Sequence, residues 1–400
     1  MKKLILVSLL LLTYVFLLPR CNFRYPSIHA SLFFHLGIFL AVLLAVEAGH
    51  RLFRTGSKKR KDIRVLLVVL FSLIIILEIL LRFGLKRNVN YMEANKGWYL
   101  SQYTNDHASW YYVHFPGVTF VECKKEFQFE YQVNSEGLLD WRHSKAKATG
   151  EFRIVALGDS FTEGVGAEQG SSWPAKLEHV LNEGQSDRKF TVINAGISGS
   201  DPFFEYVLLR DGLLQYRPDL VIVAVNDSDT SEFTVRGGME RFQPGGRVVY
   251  RKGPTWEWLY SLSFITRVVV HDILGYNLNL RKRSGWMKDM MAAKERIHSC
   301  LRSFNDLAAR EGFRLLVVFH PMHWEIAVRQ MVLSDLAARL RAEPGAEVLD
   351  LLEYYLQKER ISQVNSSKYY WRIDQHHNAA GYAAFARGVA WKLRQMGIAP

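Results

Sequence analysis

Hydrophobic positions are distributed along this chain in two different ways. In the first quarter they run almost unbroken, from Leu4 to Leu18, Leu32 to Ala48 and Val65 to Phe83. The second and third runs approach the roughly 20 residues that a helix needs to cross a bilayer, and the first is shorter. From residue 150 onward, short β-branched runs alternate instead with stretches of helical periodicity. Strands are predicted over Phe152 to Leu157, Phe190 to Asn194, Leu220 to Val225, Phe313 to Phe319 and Val348 to Leu351. Helices are predicted over Trp173 to Leu181, Phe203 to Tyr216, Met290 to Glu311 and Ala379 to Met396. Strands alternating with helices predict a parallel sheet covered on both faces.

Two stretches depart from that rhythm. Residues 85–150 are aromatic and polar, with a turn signal at Pro116-Gly117. Within them Glu126 to Val133 alternates strictly, as a strand with one wet face does, before a turn at Asn134 to Gly137. This reads as a β-rich lead-in to the main domain. Arg236 to Ser284 is an insertion, with a small hairpin between Gly237-Gly238 and Gly245-Gly246 and an apolar, helical stretch from Trp256 to Tyr276. It is placed over the active-site edge, as a lid, a membrane-facing surface or a packing helix. The expected organisation is a membrane region over 1–84, a lead-in over 85–150 and a catalytic domain over 151–400.

Charge sharpens the membrane reading. The formal net charge is +12, but seven Lys/Arg residues between Arg51 and Arg64, offset only by Asp62, carry half of it. So local an excess does not point to a nucleic-acid partner. Basic loops are retained in the cytoplasm, so this cluster places the chain after Phe83 on the outer side. The first run, after Met1-Lys2-Lys3, reads as an uncleaved anchor in preference to a signal peptide, because no small-x-small site follows it. Three inner-membrane spans with an extracytoplasmic (periplasmic) domain are thus expected. Glu47 and Glu78 fall near span ends, where charges snorkel, and Glu78 has Arg82 one turn on. The spans lack the Gly/Pro-broken helices of transport sites, so an anchor or docking surface for a membrane partner protein is preferred to a transporter. Cys123 and Cys300 share the oxidising side and are either paired or free; the third cysteine is Cys21. No Cys/His spacing suggests a metal, and no cofactor is expected.

Four stretches at predicted strand ends carry candidate chemistry. Ile154 to Leu157 ends in Gly158-Asp159-Ser160, which places a hydroxyl at the carboxyl edge of the sheet, where parallel sheets put their chemistry. Asn194-Ala195-Gly196-Ile197-Ser198-Gly199 offers small residues that let a backbone amide approach a reacting oxygen. Asn226-Asp227-Ser228 follows the third strand, and Asp374-Gln375-His376-His377-Asn378 precedes the last helix. A serine nucleophile needs an imidazole base, and the imidazole needs an acid to fix its tautomer. Ser160, His376 and Asp374 supply these. The amides of Ser160 and Gly199, with a side-chain donor from Asn226 or Ser228, supply an oxyanion hole.

With these blocks in this order, residues from about 152 to 396, less the insertion, resemble the SGNH or GDSL-like hydrolases. The resemblance implies a flavodoxin-like α/β/α fold, a serine esterase or acyltransferase activity, and Ser160, Gly199, Asn226 and His376 as the name-giving residues. Asn378-Ala379-Ala380-Gly381-Tyr382 matches the last block well, and Asn134-Ser135-Glu136-Gly137 is similar to membrane-anchored members. The third block departs from the family's Gly-x-Asn-Asp: Ala224 replaces the glycine, and Asn226 comes about two residues early, which keeps Ser228 open as donor. Spacing from Asp374 selects His377 as base, whereas spacing back from Asn378 and Gly381 selects His376, which is preferred. An Asp-x-His spacing also occurs in polysaccharide O-acetyltransferase relatives. The resemblance and location together imply action on O-acyl, chiefly O-acetyl, groups of a cell-envelope or exported glycan. The rivals are a lipid esterase and a degenerate domain that binds glycan or scaffolds an export assembly.

Overall fold

The structure is a computed structural model of the full chain. It describes residues 28–52, 57–84, 103–104, 113–183, 188–243, 247–249, 254–277, 280 and 282–399. The chain forms two compact units, one of Met1–Trp98 with Lys252–Met287, the other of Tyr99–Arg251 with Lys288–Pro400.

In the first unit, helix α1 (Ile28–Leu52) packs on helix α2 (Ser57–Gly84), with Phe39 stacked on Phe71 at 4.2 Å. Residues Lys61–Phe83 of α2 are long and apolar enough to cross a membrane, with mean hydropathy 2.9. The apolar stretch of α1, Phe34–His50, is shorter. The predicted run Leu4 to Leu18 lies outside the described residues. Glu47 near the end of α1 pairs with Arg64 of α2.

Residues 252–287 belong to this unit, not to the unit with the sheet where an active-site insertion was expected. Two short helices, Glu257–Leu262 and Phe264–Val268, follow the apolar pattern around Trp256 to Tyr276. Their core is Tyr260, Val270 and Leu280, and Tyr260 Oη is 2.7 Å from His271 Nε2. Glu78 of α2 corrects the snorkelling expectation, being only 2 % exposed. Its carboxylate accepts the Ser263 hydroxyl and the Ile265 N–H, each at 3.1 Å, and the Phe264 N–H, and lies 3.5 Å from His35 Nε2. A carboxylate at a helix start satisfies amides that have no partner in the helix itself.

In the second unit, five strands form one parallel sheet: β3 (Glu151–Leu157), β4 (Lys189–Asn194), β5 (Leu220–Val225), β6 (Arg314–Phe319) and β7 (Ala346–Asp350), ordered β7-β6-β5-β3-β4. This is the flavodoxin-like order, in which the switch point falls between β3 and β5. Ile154–Leu157 and Leu220–Val225 are buried on both faces, so their sequences read as continuous apolar runs without alternation. A hairpin of β1 (Thr119–Cys123) and β2 (Gln128–Gln132) precedes the sheet; its second strand was predicted from alternation and its first was not.

Helices α3 (Trp173–Asn182), α4 (Trp286–Glu311) and α5 (Ala379–Gln395) flank the sheet. In α4, the side chains of Ala293, Ile297, Cys300, Leu301, Phe304 and Leu307 are buried at helical spacing. Trp173 of α3 stacks on Phe385 of α5 at 4.8 Å and 11°, both fully buried. Such a pair adds about 1 kcal/mol to its area burial. The predicted helix Phe203 to Tyr216 is regular only over Pro202–Leu208, then widens into a π-type turn and tightens into a 3₁₀ turn. Cys123 is exposed and Cys300 buried, both as free thiols, so the pairing held open above does not form.

Replacing Glu78 with Ala leaves three donors of the inserted segment without their acceptor, at a cost of about 2 kcal/mol or more. Hydrogen exchange in Glu78→Ala is expected to rise over residues 257–268 and to stay unchanged over β3 and β5.

Candidate active site

The site is built where β3 meets a single turn of helix, Ser160–Glu163. Gly158 makes the junction possible. Its φ is +153°, and a Cβ there would lie 2.1 Å from Thr162 Oγ1 and 3.2 Å from the Ala224 methyl. The absent side chain at Gly158 thus leaves room chiefly for Thr162, with the Ala224 methyl alongside. Asp159 caps the turn, its Oδ1 accepting the Phe161 N–H at 2.9 Å. Ser160 opens that turn, so its own N–H belongs to the amides at a helix start.

Ser160 Oγ lies 2.7 Å from His376 Nε2, and His376 Nδ1 lies 2.5 Å from Asp374 Oδ1. Burial would raise the Asp374 carboxyl, but the hydrogen bond and charge of His376 outweigh it and hold Asp374 below its ordinary range. The structure therefore joins Ser160, His376 and Asp374 in one chain of hydrogen bonds. His377 is not part of it. Its ring is fully buried, 3.2 Å from Tyr369 O and 3.3 Å from Tyr355 Oη, and packs on Tyr370 at 4.1 Å. Burial drives its pKa well below the ordinary histidine value. The adjacent residues diverge because the backbone turns into α5 at Asn378, whose Oδ1 accepts the Ala380 and Gly381 amides.

The third block contributes differently from the expectation. Asn226 is 2 % exposed, and its Nδ2 donates to Asp159 Oδ2 at 2.9 Å and lies 3.1 Å from His320 Nε2. Ser228 donates its hydroxyl to the same Asp159 Oδ2 at 3.2 Å and its N–H to Asn226 Oδ1 at 2.7 Å. Both candidate donors thus face Asp159, and an oxyanion would have to compete for them. Gly199 has φ +69° in the second-block loop, and its carbonyl accepts from Arg236. Gly196 brings that loop close: a Cβ on it would sit 2.2 Å from the Glu163 amide nitrogen.

Three residues escaped the sequence reading. Asp159 gathers Phe161, Asn226 and Ser228, as its place inside the first block could have suggested. Glu163 accepts from the Ser198 hydroxyl and lies 2.5 Å from His114 Nε2, tying the lead-in to the second-block loop. His320 immediately follows β6, a position at the sheet's carboxyl edge that marks it. Burial lowers its pKa to about 4, so it is neutral near pH 7 and accepts from Asn226. Among the described residues, no group of His, Cys, Asp or Glu is placed to hold a metal ion.

Residues 156–384 match the GDSL-like Lipase/Acylhydrolase family, and the chain belongs to it. It has the parallel-sheet fold of that family. No match to a curated protein sequence was found. Among solved structures, the chain is similar to a two-domain esterase active on acetylated mannans, with 16 % identity and TM-score 0.39 over 63 % of this chain and 52 % of that one. It thus spans about half the length of that esterase. It is also similar to an acetyl xylan esterase, with 12 % identity and TM-score 0.36 over 60 % of this chain and 100 % of that one. A third likeness is to an α/β hydrolase from the metagenome of Lake Arreo, Spain, with 17 % identity and TM-score 0.38 over 64 % and 98 %.

His320 gives the fold a pH dependence with a definite sign. Its folded pKa of about 4 lies below the ordinary 6.5, so the unfolded chain takes the proton first. Its stabilising share is whole above 6.5 and is lost as pH falls toward 4. The loss is on the order of 3 kcal/mol. The unfolding free energy of His320→Asn, measured by denaturant titration at a series of pH values, is expected to fall less steeply between pH 6.5 and 4 than that of wild type; an equal slope would count against this role.

Proposed function

We propose that the protein is a membrane-anchored serine esterase or O-acyltransferase that handles O-acyl groups, chiefly O-acetyl, of a glycan on the extracytoplasmic side. The observation that carries this reading is the relay of 2.7 and 2.5 Å from Ser160 through His376 to Asp374 at the carboxyl edge of a GDSL-family sheet. In the proposed reaction His376 takes the Ser160 proton as Oγ attacks the acyl carbonyl. The imidazolium, steadied by Asp374, returns that proton to the leaving alcohol, and an acyl-serine remains. Water, or a sugar hydroxyl in the transfer version, then gives its proton to His376 and attacks the acyl carbonyl; the acyl–Oγ bond breaks, and the imidazolium returns the proton to Ser160 Oγ. The amides of Ser160 and Gly199 are proposed to face the developing oxyanion, with Asn226 holding Asp159 and the helix start in place.

The anchor is supported by the apolar helix Lys61–Phe83 and by the basic cluster before it, which favours a cytoplasmic loop and an outward-facing enzyme. Glycan as substrate is supported by that proposed location and by the Asp374-x-His376 spacing. Lipid-ester hydrolysis is a second reading, favoured by the exposed Ile273 and Leu274 in the segment grouped with the apolar helices. A partner protein in the membrane that delivers acyl groups belongs to the transferase version.

Turnover of nitrophenyl acetate and of an acetylated glycan, each with and without a free sugar acceptor, tests the proposal. Ser160→Ala and His376→Ala are each expected to lower kcat/KM roughly 10³-fold or more. His377→Ala is expected to lower the melting temperature while the folded fraction keeps turnover within about tenfold of wild type. Folded wild-type protein that neither turns over these esters nor forms a fluorophosphonate adduct on Ser160 would favour a binding module instead.

A further inference from the structure

The loop that holds Asp374 and His376 is closed by backbone hydrogen bonds of its own, including Asn378 N–H to Tyr369 C=O at 3.0 Å. Trp371 N–H donates to His376 C=O at 2.9 Å and Gln375 N–H to Trp371 C=O at 3.0 Å. Between them Gln375 adopts the left-handed φ of +71°, a conformation that costs a residue with a side chain. A further partner comes from outside residues 156–384. Glu126, in the turn of the β1-β2 hairpin, accepts three consecutive backbone amides of this loop. Its Oε1 takes the Arg372 N–H at 3.1 Å, and its Oε2 takes the Ile373 N–H at 2.7 Å and the Asp374 N–H at 2.9 Å.

The hairpin is itself tied down. Phe127 packs on Trp371 at 5.3 Å, and the Trp371 indole donates to Gly166 O at 2.7 Å. Tyr131 Oη donates to Ala167 O at 2.8 Å, and Gln132 and Gln169 exchange backbone-to-amide bonds of 2.8 and 2.9 Å. Glu126 therefore stands on a rigid element fastened to the chain just after the Ser160 helix turn, while its carboxylate grips the loop that must meet Ser160. Three amides converging on a carboxylate form a charge-assisted set, each bond stronger than a neutral one.

We propose that Glu126 is a positioning residue: by binding the amides of residues 372–374 it sets Asp374 against His376 in line with Ser160. Its catalytic consequence rests on the esterase reading above. A capping role confined to stability would show in the melting temperature alone. A positioning role shows in kcat, because misplacing reacting groups by about 1 Å can cost 10²-fold in rate.

The test uses the full chain in detergent, as wild type, Glu126→Ala, Glu126→Gln and Ser160→Ala, with nitrophenyl acetate turnover and hydrogen exchange over residues 371–376. Glu126→Ala is expected to lower kcat roughly 10- to 100-fold with KM within about twofold, and to speed exchange at Arg372–Asp374. Glu126→Gln keeps one acceptor oxygen and is expected to restore most of both. Unchanged exchange in Glu126→Ala overturns the proposal, as does a kcat within about twofold of wild type or a kcat loss that Glu126→Gln leaves unrelieved. If Glu126→Ala does not fold, Glu126→Asp, whose carboxylate is one methylene short of the three amides, carries the same measurements: exchange and kcat both equal to wild type would overturn the proposal. If wild type shows no turnover that depends on Ser160, the esterase reading fails by itself, and the exchange result still decides whether Glu126 holds the loop.

Discussion

A single hydrogen bond, from Ser160 to His376, joins residues 216 positions apart, and the organisation of the second unit serves to make it. Closing so long a loop costs conformational entropy that one hydrogen bond cannot repay. The repayment comes from elsewhere. β3 is buried on both faces, which fixes where Ser160 emerges, and α5 is seated by the Trp173–Phe385 stack, which fixes where the histidine loop ends. The polar contact is thus the result of apolar packing on both sides of it.

Buried and half-buried carboxylates act as connectors throughout. Asp159 joins the first block to the third, Glu163 joins the second-block loop to His114, and Glu126 joins the hairpin to the loop of Asp374 and His376. Glu78 does the same in the first unit, where it collects the start of the Phe264–Val268 helix. A carboxylate suits this work because its two oxygens accept several hydrogen bonds at once and supply none. Removing one leaves several donors bare, so each such residue couples the elements it joins.

The same logic accounts for the unusual third block. The Ala224 methyl lies beside Gly158, and the early Asn226 reaches Asp159 and the neutral His320. A block that looks degraded by its spacing is therefore fully engaged in the structure, with its polar atoms directed at the base of the serine turn.

Much of this was legible in the residues. Continuous apolar runs identified the five strands, because strands buried on both faces have no polar positions to alternate with. Turn and cap residues placed Ser160, Gly199 and the Asp374 loop at one edge, because their chemistry is local. What sequence spacing left open was the choice between His376 and His377. One backbone step sends one ring to solvent-accessible Ser160 and buries the other against Tyr355 and Tyr370. Nor could spacing pair Glu126 with amides about 250 residues later, or Glu78 with Phe264. Local patterns determine which elements form; the partners of a buried charge depend on which distant segments packing brings against it, and only the tertiary structure decides that.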